Sequence, residues 1–286
     1  MGELDLALIL GAAVLGALIG SFLNVVIHRV PAGVSVVSPP SRCAACGERI
    51  RPVDNIPVLS WLILRGKCRH CAAPISPRYP LVEVGTALAF GGIAAWMLSP
   101  LSPVPAVVEA AAGSFGALTA VLLTIGYLWL GAVSIALTAI DLETHRLPNV
   151  LVLPGYAVVA ITLGVPALLA GSGERAGTAA AGAGILFGAY LILALAWPGG
   201  MGLGDVKLAG VLGAFLGFSG WGALAVGAFS AFLLGGLVSL ILLAARVVTR
   251  QSGIPFGPWM IAGAWLGLVV GDPIATSYLA LFGIEA

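Results

Sequence analysis

WLGAVSIALTAI, residues 129–140, is an unbroken apolar run, and it closes on Asp141. A second apolar run ends at Trp197 and leads through Gly199-Gly200-Met201-Gly202-Leu203-Gly204 to Asp205. The chain has only 12 Asp and Glu in 286 residues. An ionisable group in or beside a bilayer is costly, so two carboxylates at the ends of membrane-length segments need a chemical reason. The chain is 60% hydrophobic and 9% charged, with a mean hydropathy of +1.09. A soluble domain carries roughly a quarter charged residues. The composition therefore predicts an all-α polytopic membrane protein. The 40 glycines follow no Gly-X-Y period and suit close helix packing in an apolar environment.

A span needs about 20 apolar residues. By that rule about eight membrane helices are expected, near 5–27, 81–98, 117–140, 149–170, 177–197, 206–219, 222–246 and 257–271. The sixth and eighth are short enough to be tilted or re-entrant, which leaves a count of six to eight. The apolar tail 274–284 is too short to span. The first run lacks a basic leader region and continues into a polar segment, so it reads as a span and not a cleaved signal. Basic residues stay on the cytoplasmic side of short loops. With the N-terminus outside, 28–80, 141–148, 198–205 and 247–256 lie inside. Arg29, Arg42, Arg49, Arg51, Arg65, Lys67, Arg69 and Arg78 then fall in the first inside loop, and Arg146, Lys207, Arg246 and Arg250 in or beside the others. Only Arg175 is left outside. Asp141 and Asp205 land together at the cytoplasmic boundary, joined by two helices that cross out and back.

The loop 28–80 after the first helix contains all four cysteines, as Cys43-Ala44-Ala45-Cys46 and Cys68-Arg69-His70-Cys71. Paired C-x2-C turns separated by 21 residues are a zinc-ribbon pattern, slightly longer than the usual interval. Four thiolates close a tetrahedral shell, so the zinc is expected to be structural. Two disulfides are the alternative, disfavoured in a reducing cytoplasmic loop. The apolar piece 56–64 either lies on the membrane or packs on the helices.

Several pieces of the chain occur in a distinctive order. They are Gly20-Ser21-Phe22-Leu23-Asn24-Val25-Val26 with His28-Arg29, the cysteine pairs, Asp54-Asn55-Ile56-Pro57, Leu59-Ser60-Trp61 and Arg78-Tyr79-Pro80. Further on come Ile140-Asp141, Leu147-Pro148-Asn149, Gly202-Leu203-Gly204-Asp205-Val206-Lys207 and Ile254-Pro255-Phe256-Gly257-Pro258. Together they resemble the bifunctional type IV prepilin peptidases, membrane aspartyl proteases that are also N-methyltransferases. Asn149 stands where that family often has aspartate.

The resemblance implies cleavage of the basic leader of prepilins or pseudopilins after a glycine, at the cytoplasmic face of the bacterial inner membrane. Methylation of the new N-terminal amine from S-adenosylmethionine follows. Peptidase activity alone is the alternative. The partners implied are the substrate's leader and apolar helix and membrane lipids, with no nucleic acid. The family's two catalytic aspartates map to Asp141 and Asp205. Residues 117–271 would be the peptidase domain, and 1–98 the part associated with methyl transfer.

The residues support the same chemistry. Two adjacent carboxylates cannot both ionise easily and share a proton, so one can activate water while the other protonates the scissile carbonyl. Gly202 and Gly204 are expected to give the backbone freedom beside Asp205, and Lys207 to tune a carboxylate or snorkel to the interface. Taken singly, Asp141 is equally an interfacial residue and Asp205 an N-cap. A metal site from Asp141 and His145 lacks a His-Glu-x-x-His motif. An ion carrier or a non-catalytic zinc-ribbon scaffold are the readings from other classes. No glycine-rich dinucleotide-type fingerprint is present, so the methyltransferase candidates are polar residues near the cytoplasmic face: Asn24, Asp54, Asn55, Arg78 and Glu83. Glu83 is there to bind an amine or the charged cofactor, or simply starts a helix.

Overall fold

A computed structural model of the chain describes residues 2–111, 115–197, 200–247, 249 and 253–283. Gly199, at the head of the glycine stretch, and Arg250, one of the expected inside cations, lie outside the described residues. In chain order the helices are α1 (Glu3–Arg29), α2 (Leu59–Ile63), α3 (Arg78–Met97), α4 (Val104–Ala110) and α5 (Gly116–Thr144). Next come α6 (Asn149–Val152), α7 (Pro154–Val159) and α8 (Val165–Leu169). They are the parts of one apolar stretch, Asn149–Leu169, whose ladder is re-set at Pro154, at a π-turn over Ala160–Gly164 and at Pro166. Then follow α9 (Gly173–Ala196), α10 (Leu203–Ser219), α11 (Trp221–Ala244) and α12 (Gly257–Ala280).

Among the described residues seven helical stretches are long and apolar enough to cross a membrane. The remaining expected segment, the sixth at 206–219, is α10, and it has 17 residues. At about 1.5 Å per residue it reaches about 26 Å, just short of a hydrocarbon core of about 30 Å. It is nonetheless the most enclosed helix, with every residue from Leu208 to Phe218 buried. The final segment corrects the expectation. It does not stop near 271 but runs through Pro273 to Ala280. Asp272, which looks like a span terminus, accepts the Ala223 amide at 2.9 Å and so satisfies a free donor in the first turn of α11.

The chain forms two compact units, 1–95 with 128–140, and 96–127 with 141–286. In the first, α1 and α3 run antiparallel at close range. A Cβ on Gly16 would meet the Thr86 carbonyl at 2.6 Å, and one on Gly20 would meet the Glu83 Cα at 2.8 Å. The segment 56–64, expected on the membrane or on the helices, is held by bonds within its own loop. Ser60 is buried and bonds Val53 O and Ile56 N, and Trp61 Nε1 donates to Ile75 O at 3.1 Å. The segment is thus tied into the loop, while Leu59, Leu62 and Ile63 face outward.

In the second unit α9 and α10 pack antiparallel, backbone against backbone. Positions 182 and 213 meet so closely that a Cβ on either would strike the carbonyl of the other, and Gly217 sits likewise on Thr178. The α11–α12 pair repeats this device at Gly227, Gly263 and Gly271. Without a hydrophobic drive between helices in lipid, such contact lets dispersion hold them.

Candidate active site and metal centre

Asp141 lies in α5, one turn before the helix ends, and is 4% exposed. The helix stops there because His145 adopts a left-handed φ of 50° and its amide closes on Asp141 O at 2.8 Å. Asp205 is the third residue of α10 and half-buried. Each carboxylate accepts a backbone N–H from a glycine. Asp141 Oδ2 takes the Gly257 amide at 3.0 Å, and Asp205 Oδ2 takes the Gly202 amide at 3.0 Å. The N-cap reading of Asp205 is therefore partly realised, from position N3 and not from the cap itself.

Leu147 ties the two aspartates together. A Cβ on Gly204 would lie 2.9 Å from Leu147 Cβ, and one on Gly257 would lie 3.2 Å from Leu147 Cδ2. The residue next to Asp205 and the residue bonded to Asp141 thus touch one side chain. Asp205 also lies close enough to Asp141 to feel its charge.

The glycines act differently from expectation. Gly202 has φ −81°, open to any residue, and Gly204 sits in the first turn of α10. What Gly204 provides is room for Leu147. Gly257 matters in the same way, because a Cβ there would come within 2.7 Å of Asp141 Oδ2. Gly257→Ala is expected to push the carboxylate aside and lower kcat/KM for cleavage about 10–100-fold, with helix content by circular dichroism unchanged. A misplacement of about 1 Å at a reacting group costs on that order.

Lys207 turns away to Asn149, donating Nζ–H to Oδ1 at 3.0 Å, and its carbonyl accepts from Tyr156 OH at 2.8 Å. It braces α10 against α6 and α7. Beside the aspartates, Tyr190, Phe232 and Phe256 form an aromatic cluster with centroid separations of 5.3–6.2 Å.

The four cysteine sulfurs all lie within 4.8 Å of one another. Cys43 and Cys71, one from each turn, are 3.8 Å apart. Tetrahedral bonds of about 2.3 Å to zinc would place sulfurs about 3.8 Å apart. The thiols are free, not paired as disulfides. The two turns are built alike. Gly47 N donates to Cys43 O and Ala72 N to Cys68 O, with Gly47 at φ 71° and Ala72 at φ 57°. Amides of Cys46 and Ala45 hold the Cys43 thiol down at about 6. Desolvation and the crowding of Cys71 and Cys43 outweigh the Glu48 amide and push Cys46 up to about 11. Four sulfurs this close resist joint ionisation until a cation is shared among them. Among the described residues no other group of three or more His, Cys, Asp or Glu could hold a metal.

The methyltransferase candidates separate into two groups. Asn24 and Glu83 are both buried in the first unit. Asn24 Nδ2 donates to Tyr79 O at 3.1 Å, next to Arg78, which opens α3. Glu83 Oε2 accepts the Val58 amide at 2.7 Å. Asp54 and Asn55 belong to the loop. Asp54 forms a forked pair with Arg69 of the second cysteine turn, which holds its carboxyl below the usual range. Asn55 closes a short turn on Pro52 O.

Val58 is the strained point of this loop. It has φ 62° and ψ −50°, and the Leu59 amide reaches back to Pro57 O at 2.6 Å, the geometry of a γ-turn that β-branched residues avoid. Val58→Gly is expected to slow amide exchange across 56–62 by stabilising the turn about 1 kcal/mol.

Comparisons with known proteins give the family. Residues 14–97 match the Bacterial Peptidase A24 N-terminal domain and residues 128–244 the Type IV leader peptidase family. A Prepilin leader peptidase/N-methyltransferase of Pseudomonas aeruginosa is 34% identical over 98% of this chain and 96% of its own. One from Aeromonas hydrophila is 37% identical over 93% of this chain and 91% of its own. The chain belongs to the type IV leader peptidase family. No solved structure matches it.

The two aspartates and the four cysteines were candidates from the sequence, whereas Leu147 and Gly257, which meet beside Asp141 and Gly204, and Tyr190 were not. Leu147 and Gly257 stood in motifs already noted, Leu147-Pro148-Asn149 and Pro255-Phe256-Gly257-Pro258. Nothing in a motif says which of its members touches a carboxylate. Tyr190 lies in an apolar run with no local signal.

Proposed function

We propose that this leader peptidase cleaves the basic leader from prepilins or pseudopilins through Asp141 and Asp205, then methylates the new N-terminal amine. The observation that carries the reading is the pair of aspartates, each oriented by one glycine amide and joined through Leu147. One carboxylate takes a proton from water as the water adds to the scissile carbonyl, and the other supplies a proton to the carbonyl oxygen. The protons belong to the pair, so neither aspartate is assigned as base. Residues 117–271 form the peptidase part and 1–98 the methyl-transfer part. Gly202 and Gly204 position Asp205, and Lys207 braces the helix that bears it.

The chain lies multi-pass in the inner membrane, with its N-terminus outside and the aspartates and loop 28–80 at the cytoplasmic face. The basic residues of that loop support this orientation, as does the antiparallel packing of α9 and α10, which makes α10 a crossing helix. The substrate's apolar helix lies among these helices while its leader stays in the cytoplasm.

Cys43, Cys46, Cys68 and Cys71 bind one structural zinc, which clips a loop too small to fold by its own core. S-adenosylmethionine supplies the methyl group. Glu83 fits a cationic partner there, because Val58 uses one of its oxygens and the other has no partner among the described residues. Asn24 and Arg78 flank it on α1 and α3, and Asp54 and Asn55 shape the loop above. The test of this half is transfer of labelled methyl from S-adenosylmethionine to a prepilin. Label should appear only on cleaved product and be lost in Glu83→Gln. Label on uncleaved prepilin, or unaltered transfer by Glu83→Gln, would refute the assignment.

A further inference from the structure

The buried stripe of α9 is Ala179, Gly182, Leu186 and Tyr190. Its first members are apolar and explained by packing on α10. The last carries a hydroxyl. Glycine contacts fix the register of the antiparallel pair, with 178 facing 217 and 182 facing 213. Stepping one helical turn at a time, 186 faces 209 and 190 faces 205. Tyr190 therefore stands opposite Asp205, and it is close enough to feel the charge of that carboxylate.

The ring is 2% exposed and fixed between Phe232 and Phe256, at centroid distances of 5.5 and 6.2 Å. Phe256 directly precedes Gly257, whose amide orients Asp141. One clamp thus sets the phenol relative to both halves of the dyad. Among the described residues the hydroxyl has no hydrogen-bond partner, and it is not one of the fully enclosed unpaired polar atoms, so the buried ring leaves its polar tip open to a small group. No hydrogen bond joins it to Asp205, so its donor is not used within the site.

Resting on the peptidase reading, we propose that the Tyr190 hydroxyl is a third catalytic group, donating a hydrogen bond to the scissile carbonyl oxygen as water adds to the carbonyl. In that step the carbon–oxygen bond to water forms, and water's proton passes to the ionised aspartate. The carbonyl π pair moves onto oxygen, which the protonated aspartate then neutralises. The carbon–nitrogen bond breaks next: the amine leaves with the proton that the first aspartate took from water, and a hydroxyl of the diol returns its proton to the second as the carbonyl re-forms. Tyr190 keeps its own proton throughout and stabilises the charge building on oxygen. A fixed donor in a water-poor site contributes most at that moment, when the charge is largest.

The test is Tyr190→Phe in the full-length protein in lipid, with a prepilin substrate and with Asp205→Asn as the dyad control. Phenylalanine keeps the ring and its clamp and removes only the donor. The expected result is a fall in kcat of about 10²–10³-fold, with KM within about threefold and an unshifted thermal midpoint. Wild-type cleavage that depends on Asp205 together with an unchanged kcat in Tyr190→Phe overturns the proposal and leaves the peptidase reading standing. A rise in KM alone, or loss of activity in step with a lower thermal midpoint, assigns Tyr190 to packing and also overturns it. If the wild-type protein cleaves no prepilin, the peptidase reading fails and the proposal fails with it.

Discussion

Asp141→Asn and Asp205→Asn are each expected to lower prepilin cleavage at least about 10²–10⁴-fold, the range of a lost general acid or base. The double variant is expected to be no worse than either single one. Two groups that share one proton act as a unit, and removing either disables both. Asparagine keeps an oxygen to accept the Gly257 or Gly202 amide, so the local fold should survive. Zinc content and membrane insertion are therefore expected to match wild type in both variants. Independent, additive losses would mean that the two carboxylates do not serve one site.

The second large effect concerns the loop. Serine at Cys43, Cys46, Cys68 or Cys71 is expected to reduce bound zinc from about one per chain to near zero. A serine hydroxyl is a poor ligand at neutral pH, and the remaining three thiols leave the shell open. Binding of structural zinc is worth about 10–16 kcal/mol in small metal-dependent domains, and there it is folding energy. The loop's other ties are single hydrogen bonds, from Trp61 to Ile75 O, between Ser60 and Val53 and Ile56, and from Val58 to Glu83, with the Arg69–Asp54 pair. Amide exchange across 43–71 should therefore rise to that of an unfolded segment. Cleavage should fall far less than in the aspartate variants, because Asp141 and Asp205 belong to the other compact unit. Freshly purified, reduced protein free of zinc would refute the ribbon.

Most of the helices were legible in the sequence because an apolar run of span length has few other meanings. The misreadings have physical causes. Asp272 and Pro273 look like the end of a span, yet Asp272 is satisfied by the Ala223 amide of α11, a contact no local pattern reveals. The breaks in the fourth stretch were marked by Pro154 and Pro166, but the π-turn between them was not. It carries Thr162, whose side chain fills the space left by Gly126 of α5, so its cause lies in tertiary packing.

The site divides the same way. Asp141, Asp205 and the cysteines are chemically conspicuous, scarce and regularly placed. Their supports are ordinary residues whose importance is positional. Gly204 read as a source of backbone freedom and Gly257 only as a member of a motif, whereas each is there because Leu147 or a carboxylate occupies the place of its side chain. Lys207 read as a tuning charge or a snorkelling lysine and is engaged with Asn149. That pairing also gives Asn149, the departure from the family pattern, a local structural role. Asp54 looked available for a cofactor and is paired with Arg69. In both cases a free-looking ion has a partner far away in sequence.

The central claim is tested most directly by incubating the purified protein in lipid with a prepilin and S-adenosylmethionine and reading the substrate's N-terminus by mass spectrometry. The expected product has lost its leader after the glycine and gained one methyl group on the new terminal amine, and Asp141→Asn gives neither change. An intact prepilin with wild-type protein across several pilins, or equal cleavage by Asp141→Asn, would contradict the account.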